Sequence, residues 1–481
     1  MPGSTHAHYN LATALAGNGL LEEAILAYRQ ALQLDPQNAA ASNNLGNIYA
    51  DQGSFDQALD TIREALRLNP DQPTFHSSLL FLMQFHPDNG PAVLRDELAA
   101  WSRRHAHPLR RFIRPHANDR SPDRPLRIGY VSPDFRDHVV GRNIWPLFQH
   151  HDPRQFQVFC FSEVTTPDAM TARFRSLAYD FQTTAGRSDE EVAELIRGSA
   201  IDVLVDLALH TANNRLPVLA RKPAPVQVTF AGYPGSTGLD TIDYRLTDPY
   251  LDPPGQDDYS ETSVRALDSF WCYDPQSEIV PVNELPALSI GHVTFGCLNT
   301  FRKVNVPLLK LWAQVLQAVP SSRLLMFAPV GSRQRLVEWM AMQGVATNRI
   351  TFSNYLPRRD YLTLYHAIDI GLDTHPYNGH TTSLDSLFMG VPVISRVGDR
   401  VVGRAGYSQL MNLGLPELIA HSDDQFVQIA TTLAADLPRL ATLRQGLRAR
   451  MQTSPLMDAA AFARNIEAAY RQMWREWCAK T

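Results

Sequence analysis

Residues 373–394 contain side chains suited to binding a nucleotide diphosphate. The apolar residues 368–372 predict a strand, and the segment after residue 380 predicts a short helix. Between them lies a polar loop that ends in Gly379-His380-Thr381-Thr382. Free backbone N–H groups and the helix dipole attract anions at such a helix start, and Asp385, one turn further in, could accept a hydrogen bond from a sugar hydroxyl. An ordinary strand–helix–strand unit with capping threonines explains the same residues, so both interpretations stay open on residue types alone.

Several segments together resemble the O-linked N-acetylglucosamine (O-GlcNAc) transferases, and they occur in that family's order. They are Tyr130-Val131-Ser132-Pro133-Asp134-Phe135-x-x-His138, Pro223-Ala224-Pro225-Val226-Gln227, Gly232-Tyr233-Pro234-Gly235-Ser236-Thr237-Gly238, and Asn378-Gly379-His380-Thr381-Thr382 with Asp385 and Gly390-x-Pro392. The resemblance covers residues 126–475 and is to a bacterial homologue of the family. It implies an enzyme that transfers GlcNAc from UDP-GlcNAc to Ser and Thr of proteins or peptides, binds UDP-GlcNAc or UDP as substrate, and needs no cofactor.

The composition indicates a soluble intracellular protein. At 481 residues the chain can form two or three domains, and its net charge of −5 provides no basic field for nucleic acid or anionic lipid. The four cysteines are scattered, without a disulfide framework or metal-ligand spacing, as expected in a reducing compartment. The N-terminus lacks a signal-peptide pattern, and no apolar run is long enough to span a bilayer. We therefore expect a cytoplasmic protein with no nucleic-acid or membrane partner.

Residues 5–36 and 39–70 repeat one another with the tetratricopeptide period of 34 residues. Five identical pairs of residues recur at that spacing: Gly19 and Gly53, Ala24 and Ala58, Ala31 and Ala65, Leu32 and Leu66, Pro36 and Pro70. Leu45-Gly46-x-x-Tyr49 supplies the first-helix signature in the second copy, and an incomplete third copy begins near Thr74. The sequence therefore predicts an α/α tetratricopeptide superhelix at the N-terminus.

Strands and helices alternate after a Pro-rich linker at residues 115–125. The predicted strands are residues 126–131, 156–161, 203–209 and 226–230 in a first series, and 292–297, 324–327, 349–352, 368–372 and 391–394 in a second. Short apolar runs of this kind are typical of buried parallel strands. The weakly patterned residues 274–288 separate the two series. We expect two doubly wound units, which the resemblance identifies as the two Rossmann-like lobes of a GT-B type α/β catalytic region with the active site between them.

These patterns predict five segments along the chain. Tetratricopeptide repeats occupy residues 1–90. Residues 91–125 form a connecting region, which consists of a helix (91–112) and a linker. The N-terminal catalytic lobe is 126–285, the C-terminal nucleotide-sugar-binding lobe is 286–454, and a C-terminal helix occupies 455–481. In GT-B enzymes such a terminal helix crosses back to the first lobe.

Lys303 is the best candidate for contacting the leaving diphosphate. It follows the predicted strand 292–297, and open α/β sheets bind ligands at the carboxyl ends of their strands. The resemblance implies a lysine against the diphosphate at this position. Thr300 stands where the animal enzymes have glutamine, and its shorter hydroxyl can still donate. We interpret the neighbouring Arg302 as a solvated surface charge.

The resemblance places the nucleobase at Leu356-Pro357-Arg358 and Tyr361. Backbone groups of the first residues would bind the uracil edge. Arg358 replaces a lysine of the animal enzymes and Tyr361 replaces a histidine, and both can stack on and hydrogen-bond a pyrimidine. Because a related branch uses GDP-fucose, these replacements leave the base open.

Three histidines are candidates for the reaction itself. His138 follows the first predicted strand, and a neutral imidazole suits a general base; in the family the matching histidine lines the active site. The alternative is that His138 orients the substrates while a donor phosphate oxygen or a water takes the proton. We expect His210 to line the cleft and His380 to contact phosphate or sugar.

The leading hypothesis is an inverting, metal-independent glycosyltransferase. No two Asp residues are separated by a single residue, so the D-x-D element of metal-dependent transferases is absent, and cationic side chains and helix N-termini would compensate the charge. The alternatives are another donor (UDP-glucose or GDP-fucose), an asparagine acceptor, or a repeat-based interaction protein with weak transferase activity.

The repeats are expected to guide extended acceptor segments along their groove. Asn10, Asn44 and Asn47 could bind a peptide backbone, although capping or solvation of the first helices explains them as well. On this hypothesis, removal of residues 1–85 spares UDP binding.

Overall fold

The computed structural model describes residues 4–255, 258–276 and 279–480. Ser277 and Glu278, in the predicted connection 274–288, lie outside the described residues, as do the termini of the first and last predicted segments. The described residues divide into two compact units. One contains those of residues 1–91 and 277–451, and the other those of 92–276 and 452–481. The repeats thus share a unit with the predicted nucleotide-sugar-binding lobe.

Helices and strands alternate along most of the chain. The helices are α1 (Thr5–Gly17), α2 (Leu21–Leu34), α3 (Ala39–Asp51), α4 (Phe55–Leu68), α5 (Pro73–Met83), α6 (Pro91–Trp101), α7 (Val139–His150), α8 (Ala169–Leu177), α9 (Asp189–Gly198), α10 (Leu216–Leu219), α11 (Ala287–Ile290), α12 (Val306–Ala318), α13 (Val330–Met342), α14 (Arg358–Leu364), α15 (Thr381–Phe388), α16 (Ala405–Asn412), α17 (Asp423–Ala435), α18 (Leu437–Gln452) and α19 (Ala459–Ala479). The strands are β1 (Leu126–Ser132), β2 (Phe156–Ser162), β3 (Asp180–Thr183), β4 (Val203–Asp206), β5 (Val226–Thr229), β6 (Tyr244–Leu246), β7 (Thr262–Val264), β8 (Thr294–Cys297), β9 (Arg323–Phe327), β10 (Ile350–Ser353), β11 (Ile370–Leu372), β12 (Val393–Arg396) and β13 (Ile419–Ala420). Among the described residues, none of the helices is both long and apolar enough to cross a membrane.

The first four helices confirm the predicted repeats. Helix α1 packs against α2, and α3 packs against α4. Gly19 and Gly53 have φ values of 74° and 73° in the turns between these helices, which explains a glycine at the same place in each copy. The aligned alanines are completely buried where the helices meet: Ala24, Ala31, Ala58 and Ala65.

The α/β part of the first unit is a sheet of six parallel strands in the order β10-β9-β8-β11-β12-β13. The chain moves outward from β8 to β10 and then returns to the other side of β8 with β11. This places the topological switch point between β8 and β11, where doubly wound sheets bind ligands. The loops that follow these two strands carry Lys303 and Asp373.

The second unit contains a sheet of seven parallel strands in the order β3-β2-β1-β4-β5-β6-β7. Its switch point lies between β1 and β4, and the loops after these strands carry His138 and His210. Helix α19 packs against α7. Its Tyr470 hydroxyl lies 3.4 Å from that of Tyr130, and Glu467 accepts a hydrogen bond from His151 at 2.9 Å. The two parallel sheets confirm the predicted fold class.

Some elements differ from the sequence-based predictions. The short strands β3, β6, β7 and β13 were missed because each has four residues or fewer and little apolar pattern. The single helix predicted for residues 91–112 is wrong in its second half, since the regular helix ends at Trp101 and Ser102–Ala106 forms a π-helical turn. A tighter turn, His107–Phe112, follows and contains Pro108, whose ring cannot continue an α-helix.

Gly46 tests the packing of the second repeat. A Cβ atom at this position would lie 2.5 Å from Cγ1 of Ile62 and 3.0 Å from the carbonyl oxygen of Ala58. Because a helix backbone cannot move aside freely, we expect Gly46→Ala to lower the free energy of unfolding by about 1–3 kcal/mol. Gly17→Ala in the first repeat is the matched control, since its added Cβ meets no atom within 4 Å.

Scanning calorimetry measures both variants against the wild-type protein. A midpoint for Gly46→Ala equal to or above that of Gly17→Ala would contradict close contact between α3 and α4 at this position.

Candidate active site

Lys303 lies in the turn Phe301–Lys303 that follows β8. The residue is buried, with 9 % of its surface exposed, and its ammonium donates a hydrogen bond to the carbonyl oxygen of Asn378 at 2.6 Å. The same ammonium lies 4.4 Å from the centre of the Tyr377 ring. Burial lowers the pKa of Lys303 to about 8, although the negative charge of Asp373 opposes this shift. The ammonium is therefore mostly charged at neutral pH and poorly hydrated, which favours binding of an anion beside it.

Asp373 organises the loop between β11 and α15. Its carboxylate accepts hydrogen bonds from the backbone N–H groups of Thr374 at 2.8 Å and Gly379 at 2.6 Å, and from the Ser395 hydroxyl at 2.6 Å. Burial raises the pKa of Asp373 to about 6. These bonds hold the loop in the shape that presents the Asn378 carbonyl to Lys303. Sequence analysis did not single out Asp373 as a site residue, although it begins the conspicuous stretch 373–394.

His380 precedes the first turn of α15, in which Thr381 and Thr382 are half-buried. The imidazole stacks on the Tyr377 ring with 4.8 Å between ring centres, and Nε2 lies 3.5 Å from the Val402 carbonyl oxygen. Burial and then the charge of Lys303 lower the pKa of His380 well below its usual value. The imidazole is therefore neutral at pH 7 and adds no charge beside the ammonium.

Two buried amide side chains next to this loop were not anticipated. Gln409 donates from Nε2 to the His380 carbonyl oxygen at 3.2 Å, and Asn299 follows β8 by two residues. The side-chain oxygens of both lack a hydrogen-bond partner among the described residues. Buried acceptors of this kind are costly unless a ligand or water donates to them, so both are candidates for binding sugar hydroxyls.

Arg358 and Asp385, predicted separately for base and sugar, form one bidentate ion pair. The guanidinium donates to the two carboxylate oxygens at 2.6 and 2.5 Å. Tyr361 joins this cluster, because the guanidinium lies 5.6 Å from the centre of its ring and its hydroxyl is 2.8 Å from that of Tyr365. Tyr365 in turn donates to the carbonyl oxygen of Thr382 at 3.0 Å. The structure thus links the predicted base-binding residues to the start of α15 through Tyr365, which sequence analysis missed.

The remaining residues predicted to contact the donor lie at the surface. Thr300 is exposed, and its carbonyl oxygen accepts the N–H of Lys303 at 3.0 Å. Leu356 is 40 % exposed, and the carbonyl of Pro357 begins α14 by accepting the N–H of Tyr361. Tyr355, directly before them, is largely exposed and offers a further aromatic surface.

His138 is the N-cap of α7 in the second unit. Its Nδ1 lies 3.3 Å from the N–H of Val140 and 3.2 Å from a carboxylate oxygen of Asp134. Burial lowers the pKa of His138, and the negative charge of Asp134 only partly opposes this. The imidazole is therefore neutral at pH 7, as a general base requires, and about a third of it remains exposed.

His210, also in the second unit, is 1 % exposed and its Nε2 lies 3.0 Å from the carbonyl oxygen of Thr237. It therefore supports the glycine-rich loop 232–238, and its predicted contact with substrate stays a prediction. Gly232 is required by the fold, since a Cβ there would lie 2.9 Å from the carbonyl oxygens of Leu207 and Ala208.

The asparagines of the repeats make contacts within the repeats. Asn44 donates to the hydroxyls of Tyr9 and Tyr28 at 3.1 and 3.3 Å, and Asn47 donates to the carbonyl oxygen of Asn43. Asn10 is exposed. The contacts of Asn44 and Asn47 agree with a structural role and leave peptide binding as a prediction.

Known families match the two parts of the chain separately. The family model of glycosyl transferase family 41 matches residues 105–284 and 274–466, and a tetratricopeptide repeat model matches residues 5–73. A mutant of the Thermobaculum terrenum O-GlcNAc transferase has a similar structure, with a TM-score of 0.93 and 35 % identity over 99 % of this chain and 92 % of that one.

Curated plant proteins are similar over the catalytic region. A probable UDP-N-acetylglucosamine–peptide N-acetylglucosaminyltransferase SPINDLY of Solanum lycopersicum is 43 % identical over 75 % of this chain and 40 % of its own length. The corresponding probable transferase SEC of Arabidopsis thaliana is 30 % identical over 73 % and 37 %. The chain therefore spans about two fifths of the length of these relatives. With both lobes matched by the family model, the chain belongs to glycosyl transferase family 41.

Proposed function

We propose that this protein transfers GlcNAc from UDP-GlcNAc to Ser and Thr hydroxyls of proteins, with inversion and without a metal ion. The observation that carries the proposal is the buried ammonium of Lys303, which lies at the switch point of the sheet beside the loop leading into α15. Membership of family 41 supports the reaction class, and the names of the plant and bacterial relatives support GlcNAc as the sugar.

Lys303 would stabilise the diphosphate as it leaves. An ammonium has three N–H donors, and the bond to Asn378 uses one of them. Charge-assisted hydrogen bonds to a phosphate are stronger than neutral ones, and the low dielectric of a buried site strengthens them further. The first backbone N–H groups of α15 carry partial positive charge and would attract the same anion. Negative charge that develops on the diphosphate during bond cleavage therefore meets groups already in position.

The acceptor hydroxyl would displace UDP directly from the anomeric carbon. The oxygen forms its bond to that carbon while the carbon–phosphate oxygen bond breaks, and this single displacement inverts the configuration. The acceptor's proton passes to a base, and the neutral imidazole of His138 suits this role or that of orienting the hydroxyl. Asp134, next to His138, stabilises the imidazolium that such a transfer creates.

The Arg358 cluster would contact the nucleoside part of the donor. Arg358, Tyr361 and the exposed backbone at Leu356 provide a planar cation, an aromatic ring and free peptide groups for a pyrimidine. We propose uracil as the base. UDP-glucose and GDP-fucose as donors, and asparagine as acceptor, remain the alternatives within the family fold.

Lys303→Met tests the proposal directly. The variant keeps most of the side-chain volume but loses a charge-assisted contact, so we expect UDP affinity to fall about 10- to 150-fold. Lys310→Met, which removes an exposed lysine from α12 of the same unit, is the control for the change of charge. Calorimetric titration with UDP and GDP, together with GlcNAc transfer to a Ser/Thr peptide, measures the effect.

Loss of both UDP binding and transfer in Lys303→Met alone is the expected result. Tighter binding of GDP than of UDP would replace the proposed donor. Absence of nucleotide binding in the wild-type protein would favour the interaction protein.

UDP binding should take up protons at alkaline pH. The pKa of Lys303 is lowered to about 8 in the free protein, and a bound diphosphate favours the charged form and raises it. The phosphates of UDP are fully ionised at pH 8 and its uracil N3–H is still protonated, so up to about half a proton per UDP should be taken up at pH 8.

Titrations in buffers of different ionisation enthalpy measure this uptake. UDP affinity should fall as the pH rises through 8, and both effects should vanish in Lys303→Met. Binding that is independent of pH between 7 and 8.5 would show that Lys303 does not contact the diphosphate.

Transfer should also survive removal of divalent ions. Because the sequence contains no D-x-D element, the charge of the diphosphate would be compensated by Lys303 and α15. We expect equal initial rates with excess EDTA and with added Mg²⁺ or Mn²⁺. A rate that is lost in EDTA and restored by either ion would refute the metal-independent part of the proposal.

A further inference from the structure

The two loops that would bind the diphosphate contact the helical region formed by the tetratricopeptide repeats and α5. One is the turn Phe301–Lys303, and the other is the loop 373–380 before α15. Both belong to the same compact unit as helices α1–α5. Each loop contacts a different part of this helical region.

The first contact joins the Lys303 turn to the second repeat. Arg302 donates from Nε to a carboxylate oxygen of Asp51 at 2.9 Å and from Nη2 to the carbonyl oxygen of Asn47 at 3.2 Å. On its other side, the Phe301 ring packs so closely on Gly53 that a Cβ there would lie 3.0 Å from it. The interpretation of Arg302 as a solvated surface charge is therefore wrong, because its side chain is only 16 % exposed and pairs with α3.

The second contact joins the loop 373–380 to helix α5. The Phe85 ring, just beyond the end of α5, stacks on Tyr377 with 4.7 Å between ring centres and 11° between ring planes. Tyr377 is the residue whose ring lies beside the Lys303 ammonium and stacks on His380. Phe85 thus packs on the ring that contacts both the Lys303 ammonium and the His380 imidazole.

A buried arginine completes the second contact. Arg400 of the lobe is 5 % exposed, and its guanidinium donates to three carbonyl oxygens at the end of α5. These acceptors are Met83 at 3.4 Å, Gln84 at 3.2 Å and His86 at 3.2 Å. Two residues after Arg400, the carbonyl of Val402 accepts the N–H of Asn378, the residue that holds Lys303. A cation at a helix C-terminus is a favourable arrangement in its own right.

We propose that the second repeat and α5 are positioning elements of the diphosphate site, so that the repeats set the donor affinity as well as receiving the acceptor. The proposal rests on the proposed function only for the identity of the ligand as a nucleotide diphosphate. Asp51 and Phe85 are its positioning residues, and neither would touch the ligand. The expectation that the repeats can be removed without loss of UDP binding is then no longer valid.

The contacts also imply coupling in the opposite direction. If the repeats hold the donor loops in their binding shape, then any ligand that shifts α3 or α5 changes UDP affinity, and UDP changes the affinity for that ligand by the same factor. An acceptor segment bound along the repeats would therefore change the UDP affinity of the donor site through Arg302 and Tyr377.

Phe85→Leu and Asp51→Asn test the two contacts in the full-length protein. Leucine keeps the buried apolar volume of Phe85 but removes the ring stack, and we expect UDP affinity to fall about 3- to 10-fold. Phe75→Leu is the matched control, since Phe75 is a buried phenylalanine of α5 that makes no ring contact with Tyr377 in the described structure. Asp60→Asn, on the exposed face of α4, is the control for Asp51→Asn.

Proton uptake on UDP binding at pH 8 provides the second readout. Loss of the ring stack removes one support of Tyr377, whose ring covers the Lys303 ammonium. A shift of Tyr377 would lessen the burial of Lys303 and raise its pKa, so the uptake should decrease in Phe85→Leu. A change confined to overall stability would leave the uptake per bound UDP unaltered. The two controls should match the wild-type protein in affinity and in uptake.

Weaker UDP binding with reduced uptake in Phe85→Leu, and weaker binding in Asp51→Asn, would support the proposal. Wild-type UDP affinity in both variants, or an equal loss in Phe75→Leu, would overturn it. If Lys303→Met also bound UDP normally, the proposed function would fail instead, and the two failures are therefore distinguishable.

Discussion

The burial of one ammonium group is the constraint on which the candidate site depends. Removing a charge from water is costly unless hydrogen bonds and an opposite charge compensate it. The Asn378 carbonyl and the Tyr377 ring contact the Lys303 ammonium, and the Asp373 carboxylate contributes the opposite charge. The compensation is partial, because the pKa of Lys303 is still lowered to about 8. A bound diphosphate would supply the negative charge and hydrogen-bond acceptors that the buried ammonium still lacks. Burial of the lysine therefore favours binding of the diphosphate.

The shape of the surrounding loop follows from this constraint. Asn378 can face Lys303 only because its own side chain donates to the Thr374 carbonyl and its N–H is bound by Val402. Asp373 fixes the same loop from the strand end. Phe85 also packs on this loop, and Arg400 binds the end of α5. The proposed donor site therefore depends on contacts from both the lobe and the repeats.

Sequence patterns predicted the repeats, both parallel sheets and the position of Lys303 for clear physical reasons. Small residues at a fixed period must pack between helices, and short apolar runs must be buried strands. The β8 loop had to lie at a ligand-binding edge once the alternation was recognised. The short strands β3 and β13 escaped because hydrogen bonding to a neighbour, rather than their own apolar pattern, makes them strands.

The network around the site could not be predicted, because it depends on contacts between distant residues. Nothing in the local sequence indicates that Arg358 pairs with Asp385, 27 residues away, or that Arg302 pairs with Asp51 of the repeats. The local sequence around Tyr377 likewise does not indicate that its ring contacts both Phe85 and Lys303. Arg302 was therefore interpreted as solvated, whereas the fold pairs it with Asp51.

On this interpretation, Lys303 is a perturbed lysine whose charge is fully stabilised only when the diphosphate is bound. The chain has only four lysines, Lys222, Lys303, Lys310 and Lys480, so the ¹³Cε signal of Lys303 can be assigned by its loss in Lys303→Met. An NMR titration of this signal, without and with saturating UDP, measures the pKa in both states. We expect a pKa of about 8 in the free protein and a rise of about one unit or more when UDP is bound. A pKa near the ordinary lysine value of about 10.4 in the free protein, or no change with UDP, would contradict it.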